Sequence, residues 1–385
     1  MPIPNDGHDD DDDDHHHNEH KSPASNGDNT TNVSSTSHLH EDDDDESWCR
    51  GKYVYMYSRL PTKFNEDMIS KCREMTPDWI DVCSITSNQG LGPILKPEGN
   101  ENTTNDDDNA IWYKTDHFGL DVIFHNRMKR YRCLTTDSAK AKVVYVPFYA
   151  GVDSNINLFN PNATQRDRLA RELARWLPEQ AEWKRRRGMD HFVVTRKISW
   201  DFRRVPEPSG VSSGLSSSGE PKDWGTVLLS LPEFARTMSV LGVEKSNMPE
   251  HARHEDSVPY PTYFHPRADS DITQRQLRLR ERARPNLFAF AGAKRPEMPS
   301  SIRTHLIDQC RLARGSCELL EFVRGATAHR VSPTAVFRLF EDSVFCLQPP
   351  GDSYTRRSVF DAMMCACVPV LFHPHTAYTQ YLWHL

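Results

Sequence analysis

The chain changes character once, near residue 48. Before that point polar and charged positions follow one another with no apolar period; after it, short apolar runs alternate with amphipathic stretches. Lys52–Tyr57 reads as a strand, Asn65–Arg73 as a short helix, and 84–110, rich in Asn, Gly, Asp and Pro, as a long loop. Thr115 is placed to cap a helix over 116–131, with Phe118, Val122, Ile123 and Met128 near one stripe. Val143–Phe148 is a buried strand stopped by Tyr149-Ala-Gly. Thr164 caps a second helix ending near Leu177, and Phe192–Thr195 and Thr226–Leu231 are further strands. The Pro/Ser/Gly-rich stretch 205–223 reads as a mobile surface insertion and 242–269 as an extended connection.

The second half is more regular. A charged helix over Ile272–Ala283 leads to a strand at Leu287–Ala291, a loop at 292–299 and a helix at Ser301–Ala313. Then follow a strand at Glu318–Val323 and a helix at Pro333–Asp342. The stretch 344–372 is the clearest unit: strand Val344–Gln348, a tight loop Pro349–Ser353, helix Tyr354–Ala366 and strand Val368–Phe372. Strand and helix in alternation predict a doubly wound parallel sheet, in which ligands bind beyond the carboxyl ends of the strands. Loops 292–299, 349–353 and 373–378 follow three such strands, so they open on one edge and form one pocket.

Composition divides the chain in the same way. Residues 1–47 hold 15 acidic residues and one basic residue, a charge of −14, against +7 for the remainder. Asp9–Asp14, His15–His17 and Glu41–Glu46 bury no apolar area and read as a disordered acidic, His-rich tail. The +7 is spread rather than striped, which argues against nucleic acid. No run of about 18 apolar residues predicts a membrane span, and no signal-peptide pattern opens the chain. Sequons stand at Asn29, Asn32, Asn102 and Asn162. Of nine cysteines, Cys346, Cys365 and Cys367 lie in apolar runs and read as buried small hydrophobes; Cys49, Cys72, Cys83 and Cys133 sit in polar contexts suited to disulfides in an oxidising lumen.

The candidate chemistry gathers on the three loops. Gly292 permits close backbone approach, and Lys294, Arg295 and Arg303 stand ready to neutralise a phosphate leaving group. Gly351, Asp352, Ser353, Tyr354, Arg356 and Arg357 form the second loop, where a helix start and arginines suit phosphate. Asp361, two turns in, is placed for ribose hydroxyls. Together they suggest a sugar nucleotide. A base for the acceptor hydroxyl belongs to the other half, and Asp201 is the choice, with an ion pair to Arg203 or Arg204 as its structural alternative. Trp200, Phe202, Tyr260, Tyr263 and His265 offer stacking or hydrogen bonds to sugars, or plain packing. No Asp-x-Asp stands in a strand-end loop of the second half, so no metal or other cofactor is expected.

These residues carry a resemblance. Gln348-Pro-Pro-Gly-Asp-Ser-Tyr-Thr-Arg-Arg-Ser358 resembles the nucleotide-sugar motif of the exostosin family of glycosyltransferases, in its plant xyloglucan galactosyltransferase branch. Val146-Pro-Phe-Tyr-Ala-Gly151, Asp190-His-Phe192, Ile198-Ser-Trp-Asp-Phe-Arg-Arg204, Pro259-Tyr-Pro-Thr-Tyr-Phe-His-Pro266, Phe290-Ala-Gly-Ala-Lys-Arg-Pro296 and 377–385 are similar to signatures of that branch, in its order. The resemblance implies a GT-B fold of two Rossmann-like domains facing a cleft: an acceptor-side domain over 48–284 and a nucleotide-sugar domain over 285–385, incomplete at its carboxyl end. It implies inverting transfer of galactose from UDP-galactose to xylosyl side chains of xyloglucan, with no metal. UDP-galacturonic acid or UDP-arabinose as donor, or a non-catalytic polysaccharide-binding relative, stay open. A type II Golgi anchor is usual in the family and absent from this sequence. The last helix, from Thr376, is expected to lack packing partners; a homo- or hetero-oligomer is left open.

Overall fold

The computed structural model describes residues 47–78, 80–95, 111–204, 225–295, 301–313, 315–322, 332–351 and 353–384. The acidic tail, the insertion 205–223, most of loop 84–110, residues 296–299 and Asp352 lie outside the described residues. Two all-parallel sheets form. The first has six strands: β1 (Val54–Met56), β2 (Leu134–Thr135), β3 (Val143–Val146), β4 (His191–Val194), β5 (Ser239–Gly242) and β6 (Glu255–Ser257), in the order β2-β1-β3-β4-β5-β6. The second has four: β7 (Asn286–Gly292), β8 (Cys317–Glu321), β9 (Ser343–Gln348) and β10 (Val368–Leu371), in the order β10-β9-β7-β8. Among the described residues the helices of eight residues or more are α1 (Leu120–Met128), α2 (Ala150–Asn157), α3 (Arg168–Trp176), α4 (Asp269–Glu281), α5 (Ile302–Leu312), α6 (Pro333–Glu341) and α7 (Arg357–Met364).

The strands form where β-branched and aromatic residues cluster. β3 (Val-Val-Tyr-Val) and β4 (His-Phe-Val-Val) are buried at nearly every position, as parallel strands covered on both faces must be. In β4, His191 bridges Asp190 and the Tyr57 hydroxyl at 2.8 Å each, so this buried imidazole ties the sheet to the loop after β1.

Four local expectations differ from the structure. Thr115 caps no helix: its hydroxyl donates to the Leu91 carbonyl and meets His265 at 2.7 Å, and α1 begins five residues later. Asn162, not Thr164, supplies the capping oxygen, accepting from the Thr164 N–H at 3.0 Å, and that helix breaks at Asp167 before α3. Residues 226–231 carry a 3-10 turn (Leu228–Ser230) whose leucines face the core; a short apolar run has no period to separate turn from strand. The missing strands are β2, β5 and β6. β6 escapes notice because it buries Glu255 and Ser257, with Glu255 neutralised by Arg203.

Four disulfides join Cys49–Cys133, Cys72–Cys83, Cys310–Cys317 and Cys346–Cys367, leaving Cys365 as a buried thiol. Cys346 and Cys367 are thus bonded rather than packed as free hydrophobes: parallel pairing of β9 and β10 brings a mid-strand residue beside the residue that enters the next strand. The end of the chain is also packed. Gln380 accepts from the Lys245 N–H at 2.9 Å and from the Ser257 hydroxyl. Tyr381 donates to the Val243 carbonyl and Trp383 to the Ser257 carbonyl. Residues 380–383 therefore cross from the second sheet to the carboxyl edge of the first. Helix α4 packs on the second lobe, with Arg275 donating to the Met364 carbonyl and paired with Glu341. Among the described residues no helix is long and apolar enough to cross a membrane.

Candidate functional site

The carboxyl edge of the second sheet collects positive charge. β7 ends at Gly292, where a Cβ would stand 2.8 Å from the Phe290 ring and 3.3 Å from Nη2 of Arg303, so glycine lets Arg303 close over the strand end. Arg303, in the first turn of α5, is buried. Arg356 precedes α7 and folds back over the loop: its guanidinium donates to the Pro349 carbonyl at 3.2 Å and to the Ala291 carbonyl at 3.3 Å. Gly351 lies against the Arg356 stem, where a Cβ would stand at an ordinary contact of 3.4 Å. Burial first, then Arg303 and Arg295, push the Arg356 guanidinium down to about 9. Guanidinium holds its proton far more tightly than other bases, so the relief open to such a cluster is a bound anion.

Asp361 lies one turn inside α7 and is 3% exposed. Oδ2 pairs with Arg357 Nε at 3.3 Å, while Oδ1 has no hydrogen-bond partner among the described residues. Burial raises this carboxyl to about 6, against the pull of Arg357 and Arg356. Arg357 in turn donates to the Thr115 carbonyl of the first lobe at 2.7 Å and lies 4.0 Å above the ring of Tyr263, which packs on Phe337. The two lobes thus meet through the very loop that carries the arginines.

The structure brings Gly292, Arg295, Arg303, Gly351 and Arg356 together, with Asp361 beside them. Lys294 turns outward and pairs with Asp308 at 2.7 Å. Ser353 lies beside Glu244 of the first lobe. Asp201 sits on the first lobe in a short 3-10 turn after β4. It is buried and ion-paired to Lys197 at 3.5 Å, and its backbone carbonyl is held by the Thr226 N–H. Lys197 is one side-chain partner of Asp201, while Arg203 binds Glu255 and Arg204 binds Asp167. Among the candidate sugar-stacking residues, Phe202 is core, Tyr260 bonds Thr355 at 3.2 Å, Tyr263 carries Arg357, and His265 is held by Thr115.

At this edge sequence reasoning missed Glu244, His117 beside Asp116, and His373 and His375 beside Tyr354. Glu244 follows β5, a strand with no visible signal. The Asp116–His117 pair (3.7 Å) faces Arg357 across the cleft, before a helix whose start was misplaced. Tyr354 stacks on His373 at 4.4 Å with His375 at its edge (5.1 Å), a cluster from two loops that only the β9–β10 pairing unites.

Two parallel α/β lobes joined at their carboxyl edges, one edge arginine-lined, define a two-lobed α/β protein. Residues 48–385 match the Exostosin GT47 domain, and the chain belongs to that family. It is 48% identical to the Arabidopsis thaliana "Xyloglucan galactosyltransferase MUR3", over 88% of this chain and 50% of that protein. It is 44% identical to the "Probable xyloglucan galactosyltransferase GT14" of the same plant (88% and 61%) and 38% identical to its "Xyloglucan-specific galacturonosyltransferase 1" (88% and 46%). The chain thus spans about half the length of these relatives.

Proposed function

We propose that this chain carries the donor and acceptor lobes of an inverting GT-B glycosyltransferase that moves galactose from UDP-galactose to xylosyl side chains of xyloglucan, in the Golgi lumen. The observation that carries the reading is the arginine cluster at the carboxyl ends of β7 and β9, opposite the first lobe. In the reaction an acceptor hydroxyl attacks the anomeric carbon, the bond from that carbon to the diphosphate oxygen breaks, and UDP leaves with the electron pair. Arg356, Arg303 and Arg295 stabilise the charge that grows on the diphosphate. Asp361 accepts a ribose hydroxyl at its unpartnered Oδ1. Asp201 takes the acceptor's proton. The relatives' names support galactose as donor sugar. Four disulfides suit an oxidising lumen.

The test is intact-mass analysis of xyloglucan oligosaccharides incubated with the chain and, in separate arms, UDP-galactose, UDP-galacturonic acid and UDP-arabinose. A hexose gain confined to the UDP-galactose arm, lost in Arg356→Ala and strongly reduced in Asp201→Asn, is expected. A gain in another arm reassigns the donor. No gain in any arm, with UDP bound and the fold intact by circular dichroism, refutes transfer by this chain.

A further inference from the structure

We infer that Glu244 is a positioning residue of the donor site: from the first lobe it fixes Thr355 of the second, and so sets where Arg356 stands. The inference rests on the donor-site reading above. Glu244 lies two residues beyond β5 and is 6% exposed. A buried carboxylate is stabilised by the donors it accepts from. Here they come from one residue of the other lobe: the Thr355 N–H at 2.7 Å and the Thr355 hydroxyl. Burial pushes this carboxyl up, against the pull of these hydrogen bonds.

The placement has two consequences. Arg356 follows Thr355 directly, so its backbone is tied down one residue before its guanidinium reaches Pro349 and Ala291. The Thr355 amide is also spent on Glu244, so it does not face an anion. Tyr260 completes the clamp by bonding the Thr355 hydroxyl at 3.2 Å.

Glu244→Gln tests this at constant volume, because an amide turns N–H groups toward loop donors. Hydrogen–deuterium exchange of the ligand-free chain is read first, over peptides covering 353–359, with Glu318–Glu321 as reference. Losing bonds to a charged acceptor is expected to speed exchange there roughly ten- to hundredfold and leave the reference unchanged. UDP binding by calorimetry should weaken roughly tenfold, and the donor KM should rise more than kcat falls. Glu244→Asp should recover part of both, and Thr355→Val, which removes one donor and keeps the carboxylate, should show a smaller effect if Glu244→Gln does not fold. Unchanged exchange in both Glu244→Gln and Thr355→Val overturns the inference. So does faster exchange with unaltered UDP affinity. A thousandfold fall in kcat with exchange and UDP affinity unchanged overturns it too, by making Glu244 the proton acceptor. Faster exchange in a chain that never binds UDP sinks the donor-site reading instead, and leaves Glu244 as the anchor of this loop.

Discussion

Asp361→Asn should stabilise the protein while weakening its donor site, and the size of the gain should depend on pH. Asp361 is raised to about 6 from an ordinary 3.8, chiefly by burial. Its folded value lies above its unfolded value, so ionising it costs stability; the cost is fully present above pH 6 and disappears as pH falls toward the unfolded value. The gap corresponds to about 3 kcal/mol at pH 7 and about 1 kcal/mol at pH 4.5. Asparagine is neutral at both and removes the cost, but its amide inherits the unpartnered environment of Oδ1 and gives back about 1 kcal/mol at every pH. The pH-independent part cancels in the difference, so the variant's advantage should shrink by about 2 kcal/mol between pH 7 and pH 4.5. Urea unfolding at the two pH values measures it. UDP affinity should fall roughly tenfold in the same variant if a ribose hydroxyl loses a charged acceptor. An advantage equal at both pH values, or larger at pH 4.5, would refute the argument that burial raises Asp361.

Arg356→Ala should weaken UDP binding roughly ten- to hundredfold, with a shallower salt dependence than the native chain, as read by calorimetry at two ionic strengths. Lys294→Ala should change UDP affinity less than about threefold, because its ammonium is engaged by Asp308 at the surface and such pairs contribute about 0–1 kcal/mol. Cys49→Ser opens a loop of 84 residues and should cost about 4–5 kcal/mol on the chain-entropy estimate, visible as a lower urea midpoint. Maleimide labelling of the non-reduced chain should modify Cys365 only after denaturation, and one label per chain is the expected mass.

The second sheet was legible because its strands and helices alternate with clean boundaries. Every one of its elements lies within a few residues of its expected place, and three loops that the sequence set on one edge do share it. The first sheet was legible only where strands are apolar. β3 and β4 announce themselves. β6 hides because its buried positions are Glu and Ser, satisfied by partners far away in sequence. The same limit governs the site. Glycine and arginine at strand ends stand out in the sequence, so the placing of Gly292, Gly351 and Arg356 on one edge was readable. Lys294 was not separable from Arg295, since both stand in one loop and only the position of Asp308 draws one of them outward. Glu244 was unreadable for a deeper reason: its partners lie 111 residues on, and nothing near it in sequence requires a buried carboxylate.

That distance bears on how the two lobes work together. A loop that binds diphosphate commonly uses its own amides, whose geometry is set within one lobe. Here the Thr355 amide faces Glu244, and Arg357 of the same loop donates to Thr115, so two contacts from the first lobe fix the second lobe's loop. Arg356 stands between them in sequence. Its position against Ala291 therefore depends on lobe closure as well as on the local turn. Closing the lobes also brings the acceptor side to the site where the leaving group's charge is received. On this geometry, charge stabilisation and acceptor delivery are one event: a change that loosens the Glu244 or Arg357 contact should lower donor affinity and acceptor turnover together.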